Sequence, residues 1–134
     1  MDPLDMPLRL LSKLSAKEFL FHYHARVTRV IDGDTVVCDI DQGMHDWKHD
    51  QRIRLFGINA PEIRGPQKEK GLKARSYMMQ LMSYVHLSDI ILQTHKDKTG
   101  KYGRWLGTLW IFKDGSWVNL NEAMVDGGHA VESR

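Results

Sequence analysis

The sequence predicts a mainly β, α+β fold: a five-stranded Greek-key barrel with a helix inserted after the third strand and a short C-terminal helix. Three observations carry this. Two β-branched segments, 27–31 and 35–40, are split by Asp32-Gly33-Asp34, a strong hairpin signal. The apolar spacing then changes to a helical one across 72–87, set by Leu72, Ala74, Met78, Met79, Met82 and Val85. Strand-like segments return at 90–94 and 105–112 before a second short helical stretch.

Each element follows from its residues. Residues 1–20 carry Asp2 and Asp5 where a signal peptide would be basic, and Ser12 and Lys13 interrupt their leucines. They are expected to form an arm or short amphipathic helix ahead of a domain at 21–134, with an intracellular location as the corollary. After the hairpin, the polar stretch 41–50 reads as a loop. Residues 53–58 read as a third strand, ended by Asn59-Ala60-Pro61. Asp114-Gly115 is a turn after the fifth strand, and residues 119–127 form a short helix with Gly127-Gly128 as its stop.

Composition agrees with one globular domain. The chain has 134 residues, 42% of them hydrophobic and 27% charged. A domain of that size buries roughly two-thirds of its unfolded surface. No apolar run reaches membrane-spanning length, and Cys38 as the single cysteine excludes an internal disulfide framework and a multi-cysteine zinc site. The net charge of +2 is unevenly spread, because residues 1–61 sum to −1 and residues 62–134 to +3. Arg64, Lys68, Lys70, Lys73 and Arg75 face only two acids between Glu62 and Tyr77. Such a patch suits a polyanion, but from charge alone a solvated helix face with snorkelling lysines is the favoured reading.

Three segments could carry chemistry, although each is weak alone, the first reading more simply as an ordinary Asp-Gly hairpin and the last as a charged hairpin loop. Asp32 and Asp34 flank a glycine, so two hard carboxylate ligands emerge at one tight turn. Arg54-Leu55-Phe56-Gly57-Ile58-Asn59-Ala60-Pro61-Glu62 opens a strand with a cation and closes it with amide and carboxylate oxygens. Lys101-Tyr102-Gly103-Arg104 is a basic turn whose glycine admits close approach of a ligand.

In this order and at these spacings, the three segments together with residues 119–130 resemble the staphylococcal (thermonuclease-like) nuclease family. The resemblance runs from about Val27 to Ala130. It implies the same five-stranded barrel, an OB-fold, and a Ca²⁺-dependent nuclease that hydrolyses DNA, and RNA as a second substrate class, with low sequence specificity. One ion is implied, held by Asp34 with Asn59, the Ala60 carbonyl and Asp32 nearby. Asn59 stands where the family's best-known member has a second aspartate. Glu62 matches the carboxylate that activates or orients water. Arg54 and Arg104 match the arginines that grip the scissile phosphate, and Lys101 and Tyr102 match contacts to a neighbouring phosphate. That member continues beyond the point matching Arg134 through two aromatic substrate contacts, so base stacking is expected from elsewhere. These residue types suit the reaction, since guanidiniums and a cation offset charge developing on phosphoryl oxygens while a carboxylate takes the proton of water.

The competing reading is a non-catalytic nucleic-acid-binding barrel, which would have no need of Arg54, Glu62 and Arg104 together. A protein-interaction module is a third, and it predicts no salt-sensitive binding of nucleic acid. His22 and His24 on one strand face, and His45 and His49 flanking Trp47, are too few at their spacing for structural zinc. Cys38 reads as a small buried side chain, and Trp105, Trp110 and Trp117 as core or rim residues. A monomer with no membrane and no disulfide partner is the default expectation.

Overall fold

The computed structural model describes residues 21–83, 85–86, 89–99 and 105–133. An antiparallel meander of β1 (His22–Asp32), β2 (Thr35–Asp41) and β3 (Trp47–Leu55) leads into a two-residue β4 (Ile58–Asn59). A 3-10 turn (Gly65–Gln67) and α1 (Lys68–Met82) follow. Then come β5 (Ile90–Thr99), β6 (Trp105–Lys113), β7 (Ser116–Asn119), α2 (Leu120–Asp126) and β8 (Val131–Glu132). The strands run in the order β3-β2-β1-β5-β6-β7, and β6 also pairs in parallel with β3, closing a five-stranded barrel. Closure leaves no free edge among those five strands. The arm at 1–20 lies outside the described residues.

Alternation along β2 and β3 sends Val36, Cys38, Ile40, Ile53 and Leu55 into the barrel, where they meet Leu92, Leu109 and Ile111. Ala74 and Met78 of α1, and Leu120 and Met124 of α2, cap this core from outside the strands. Burial pushes the Cys38 thiol up to about 12, so it stays protonated and inert at neutral pH. Trp105 and Trp110 are half-buried rim residues whose indole N–H groups donate to Gln51 Oε1 and Gln93 Oε1.

Several element boundaries differ from expectation: β1 spans His22–Asp32 rather than 27–31, β5 runs on to Thr99 rather than ending at 94, and β7 and β8 are strands that the residue pattern does not predict. Residues 47–50, expected in a loop, belong to β3, because Trp47 and Lys48 pair with Asp41 and Ile40 of β2. Arg26 lies 5.1 Å from the centre of the Trp47 ring, so this exposed end is held by cross-strand contacts rather than burial. The strand expected over 53–58 is two strands. Gly57 at φ +82 turns the chain, and Ile58 pairs with Glu132 of β8 instead. The first helix begins and ends earlier than the predicted 72–87: Pro66 starts the 3-10 turn that runs into α1, and Ser83 is extended.

Two features fix the barrel end that carries the polar motifs. Asn121 is buried with its amide satisfied: Leu109 N–H donates to Oδ1, and Nδ2 donates to the carbonyls of Phe56 and Gly107. It therefore ties α2 to β6 and to the turn that follows Arg54. Gly71 brings α1 against the segment carrying Glu62, since an added Cβ would lie 2.1 Å from the Glu62 carbonyl oxygen. Gly71→Ala is expected to lower stability by about 1–3 kcal/mol, although alanine favours a helix, because backbone must move to admit the methyl group. Urea unfolding monitored by tryptophan fluorescence measures it, and an unchanged midpoint would show that α1 and the Glu62 segment separate freely.

Candidate active site

The hairpin turn between β1 and β2 delivers Asp34 into a buried position, only 7% exposed. Its Oδ1 accepts a hydrogen bond from Thr35 Oγ1 at 3.1 Å. Its Oδ2 accepts the Ala60 N–H at 2.8 Å and lies 3.3 Å from Arg54 Nη2. Arg54 projects from the end of β3, and its Nη1 donates to the carbonyls of Leu55 and Ile58. Nη2 also donates to Asn59 Oδ1. The two Nη atoms thus make three hydrogen bonds to protein oxygens beside the ion pair with Asp34, and the Nε edge has no acceptor among the described residues. Asp34, Arg54, Asn59 and Ala60 form one cluster.

Asp32 joins it from the other end of the turn, where its Oδ1 accepts the Asp34 N–H at 3.2 Å. Burial, and then the Asp34 carboxylate beside it, push Asp32 up to about 7. Glu62 is exposed and lines a cleft of about 530 Å³ that Asp32 also reaches. Asn59 and Ala60 line a second cleft of about 530 Å³ with Lys70, Lys73 and His129. Lys101, Tyr102 and Arg104 lie outside the described residues.

The donor set can be tested against a divalent ion. Asp34 Oδ2 and Asn59 Oδ1 converge on one cationic nitrogen, so the oxygens already face a positive charge. All the donors are hard oxygens, which fits Ca²⁺. Among the described residues no group of three His, Cys, Asp or Glu side chains gathers at one point. A divalent ion held here would therefore have to complete its coordination with amide or carbonyl oxygen, water and substrate.

Residues 52–134 match the family described as Staphylococcal nuclease homologue. This chain belongs to the staphylococcal nuclease family. Its relatives include Protein ParB of Escherichia coli, 36% identical over 78% of this chain and 54% of its own length. A thermonuclease of Staphylococcus intermedius is 32% identical over 63% of this chain and 47% of its length. An uncharacterized endonuclease of Escherichia coli O157:H7 is 33% identical over 80% of this chain and 59% of its length. The chain spans about half the length of these relatives.

For a staphylococcal nuclease homologue, two arginines escaped the reading of single motifs. Arg29 of β1 and Arg52 of β3 line the Glu62 cleft together with Arg64 and Arg75. Only the spacing of Arg52 and Arg54, two residues apart on one strand, signalled that both share a face. The Arg64-to-Arg75 patch is divided: its arginines line the Glu62 cleft, while Lys70 and Lys73 line the cleft beside Asn59.

The raised Asp32 has a consequence for stability. Its native carboxyl holds a proton more tightly than the unfolded one, so stability falls as pH rises from the ordinary carboxylate range through about 7. Asp32→Asn in EDTA is expected to flatten that fall and to gain on the parent at pH 8. Urea midpoints at pH 4.5, 6 and 8, each an approximate setting bracketing the two pKa values, measure it, and parallel curves for the two proteins would place the burden elsewhere.

Proposed function

We propose that this chain is a Ca²⁺-dependent nuclease that hydrolyses phosphodiester bonds of DNA, and of RNA as a second substrate class, with little sequence specificity. The observation that carries the reading is the convergence of Asp34 and Asn59 oxygens on the Arg54 guanidinium, with Glu62 and Asp32 sharing the adjoining cleft. Family membership and relatives named thermonuclease and endonuclease support it.

The reaction needs a water to attack an anion that gains charge on the way to the transition state. A bound Ca²⁺ supplies Lewis-acid polarisation of a phosphoryl oxygen. Asp34 would hold it as the charged ligand, with Asn59 Oδ1, the Ala60 carbonyl and Asp32 as further oxygens. Arg54 then exchanges partners: its Nη2 leaves the Asp34 and Asn59 oxygens and its fork turns to the phosphoryl group. Arg104 is the second fork in this scheme, and Lys101 and Tyr102 hold the neighbouring phosphate. Glu62, exposed and reachable by solvent, takes one proton of the attacking water as the O–P bond forms, and the leaving oxygen takes up a proton from solvent as the opposite P–O bond breaks.

Cleavage of single-stranded DNA in Ca²⁺, with EDTA and Glu62→Gln controls, tests the reading. Turnover is expected to fall about 100-fold or more in the variant with much less change in binding. Salt-sensitive DNA binding without cleavage, across a range of Ca²⁺ and pH, would assign a binding module instead. Asn59 supplies an oxygen without a charge, so Asn59→Asp is expected to tighten Ca²⁺. Isothermal titration calorimetry reads the change, and an unaltered affinity would remove Asn59 from the ligand set.

A further inference from the structure

Four arginines line the cleft that Glu62 and Asp32 share, and none of the four has a part in the scheme above. They come from four separate places: Arg29 on β1, Arg52 on β3, Arg64 after β4 and Arg75 on α1. The register explains how the first two meet. Arg29 pairs with Val37 of β2, and Val37 pairs with Arg52 of β3, so the three side chains share one face. Two strand spacings put the arginines about 9.5 Å apart, with the buried Val37 between them. Arg52 stands two residues before Arg54 on that same face, about 6.7 Å away along the strand. Such a step is similar in size to the separation of successive phosphates in an extended polynucleotide.

The neighbouring row of the sheet provides an internal comparison. There Arg26 faces Asp39 at 3.4 Å, and His49 lies 3.2 Å from the same carboxylate. In the cleft, among the described residues, none of the four arginines has an ion-pair partner, and Arg75 Nε is buried without a hydrogen-bond acceptor. The carboxylates reaching the cleft are Asp32 and Glu62, which leaves guanidinium in excess. The buried Arg75 Nε is costly unless an acceptor arrives, whereas Arg29, Arg52 and Arg64 are exposed and open to a ligand. Grouped cations around an open cleft of about 530 Å³ suit a chain of phosphates better than a single small anion.

We propose that Arg29, Arg52, Arg64 and Arg75 form a strand-binding cleft that holds the phosphates flanking the scissile bond on the Glu62 side, so that a single-stranded nucleic acid is gripped by its extension past the cutting site. The proposal rests on the nuclease reading for the nature of the ligand. It makes affinity depend on strand length, because a short oligonucleotide occupies the scissile position without filling the cleft. Position along the strand is thereby read through phosphates, without base contacts.

The test uses the full chain carrying Glu62→Gln in EDTA, so that nothing is cut, with fluorescence anisotropy of labelled oligo-dT about 4 and about 16 nucleotides long. Arg29→Ala with Arg52→Ala is expected to weaken the long strand about tenfold or more and the short one much less. It should also flatten the dependence of log K on log salt by about 1.4, at roughly 0.7 for each phosphate that is no longer neutralised. Lysine at both positions should restore most of the affinity, because a point charge suffices for a flanking phosphate. Unchanged binding of the long strand, or an equal loss at both lengths, would overturn the proposal. So would displacement of the long strand by poly-glutamate as readily as by unlabelled oligo-dT. Cleavage by the parent chain in Ca²⁺ separates the two ideas. Length-dependent loss without cleavage keeps the cleft and removes the nuclease, whereas cleavage without length-dependent loss does the reverse.

Discussion

The carboxylate of Asp34 is the constraint on which this end of the molecule depends. A charged group so little exposed must be met by donors on every side, or its desolvation would outweigh its attractions. Thr35 at the start of β2, Arg54 at the end of β3 and the Ala60 N–H after β4 provide them. Satisfying one carboxylate thus requires three stretches of chain to arrive at one place. Gly33 permits the turn to sit this close, since a Cβ there would come within 2.8 Å of both Ala60 and Ala74. Backbone bonding reinforces the joint, with Leu55 N–H donating to the Asp34 carbonyl.

The arrangement carries an electrostatic conflict beside its compensation. Asp32 is held next to Asp34 by the turn, and burial and like charge drive its carboxyl towards the protonated form near neutrality. A purely structural turn would gain by dispensing with one acid. A cation placed among the oxygens would relieve the same repulsion. Arg54 takes that compensating place in the structure, engaged by protein oxygens on both Nη atoms. The positive charge of the site is therefore distributed: one guanidinium is locked onto the acidic turn, and four others stand in the adjoining cleft.

Local signals are legible where a residue's geometry is its own property. Asp-Gly-Asp marks the hairpin, and the β-branched runs mark β1 and β2. The residues from Arg54 to Glu62 mark a polar strand end, and Asn119 a helix start, where its side chain accepts the Glu122 N–H. What sequence reading misses depends on partners distant in the chain. Residues 47–50 are polar and look like loop, yet β2 supplies hydrogen bonds and Arg26 supplies a ring contact, so they are strand. Ile58 looks like a continuation of β3, but Gly57 diverts it to β8. The basic run from Arg64 to Arg75 reads as one helix face, and packing sends its members into two clefts.

By itself the sequence determined the β character of the chain, the places of its turns, and the residue types from which Asp34, Arg54, Asn59 and Glu62 were singled out. The first two need only periodicity and glycine geometry, and the site residues were singled out by the resemblance of their motifs to a known family. The tertiary structure alone decided which groups face one another. Barrel closure through β3 and β6, and the register that sets Arg29 and Arg52 on either side of Val37, join residues far apart in the chain. Charge on a side chain is local, but its compensation is not. Whether an arginine is paired, as Arg26 is, or left facing a cleft, as Arg29 is, depends on which strand becomes its neighbour.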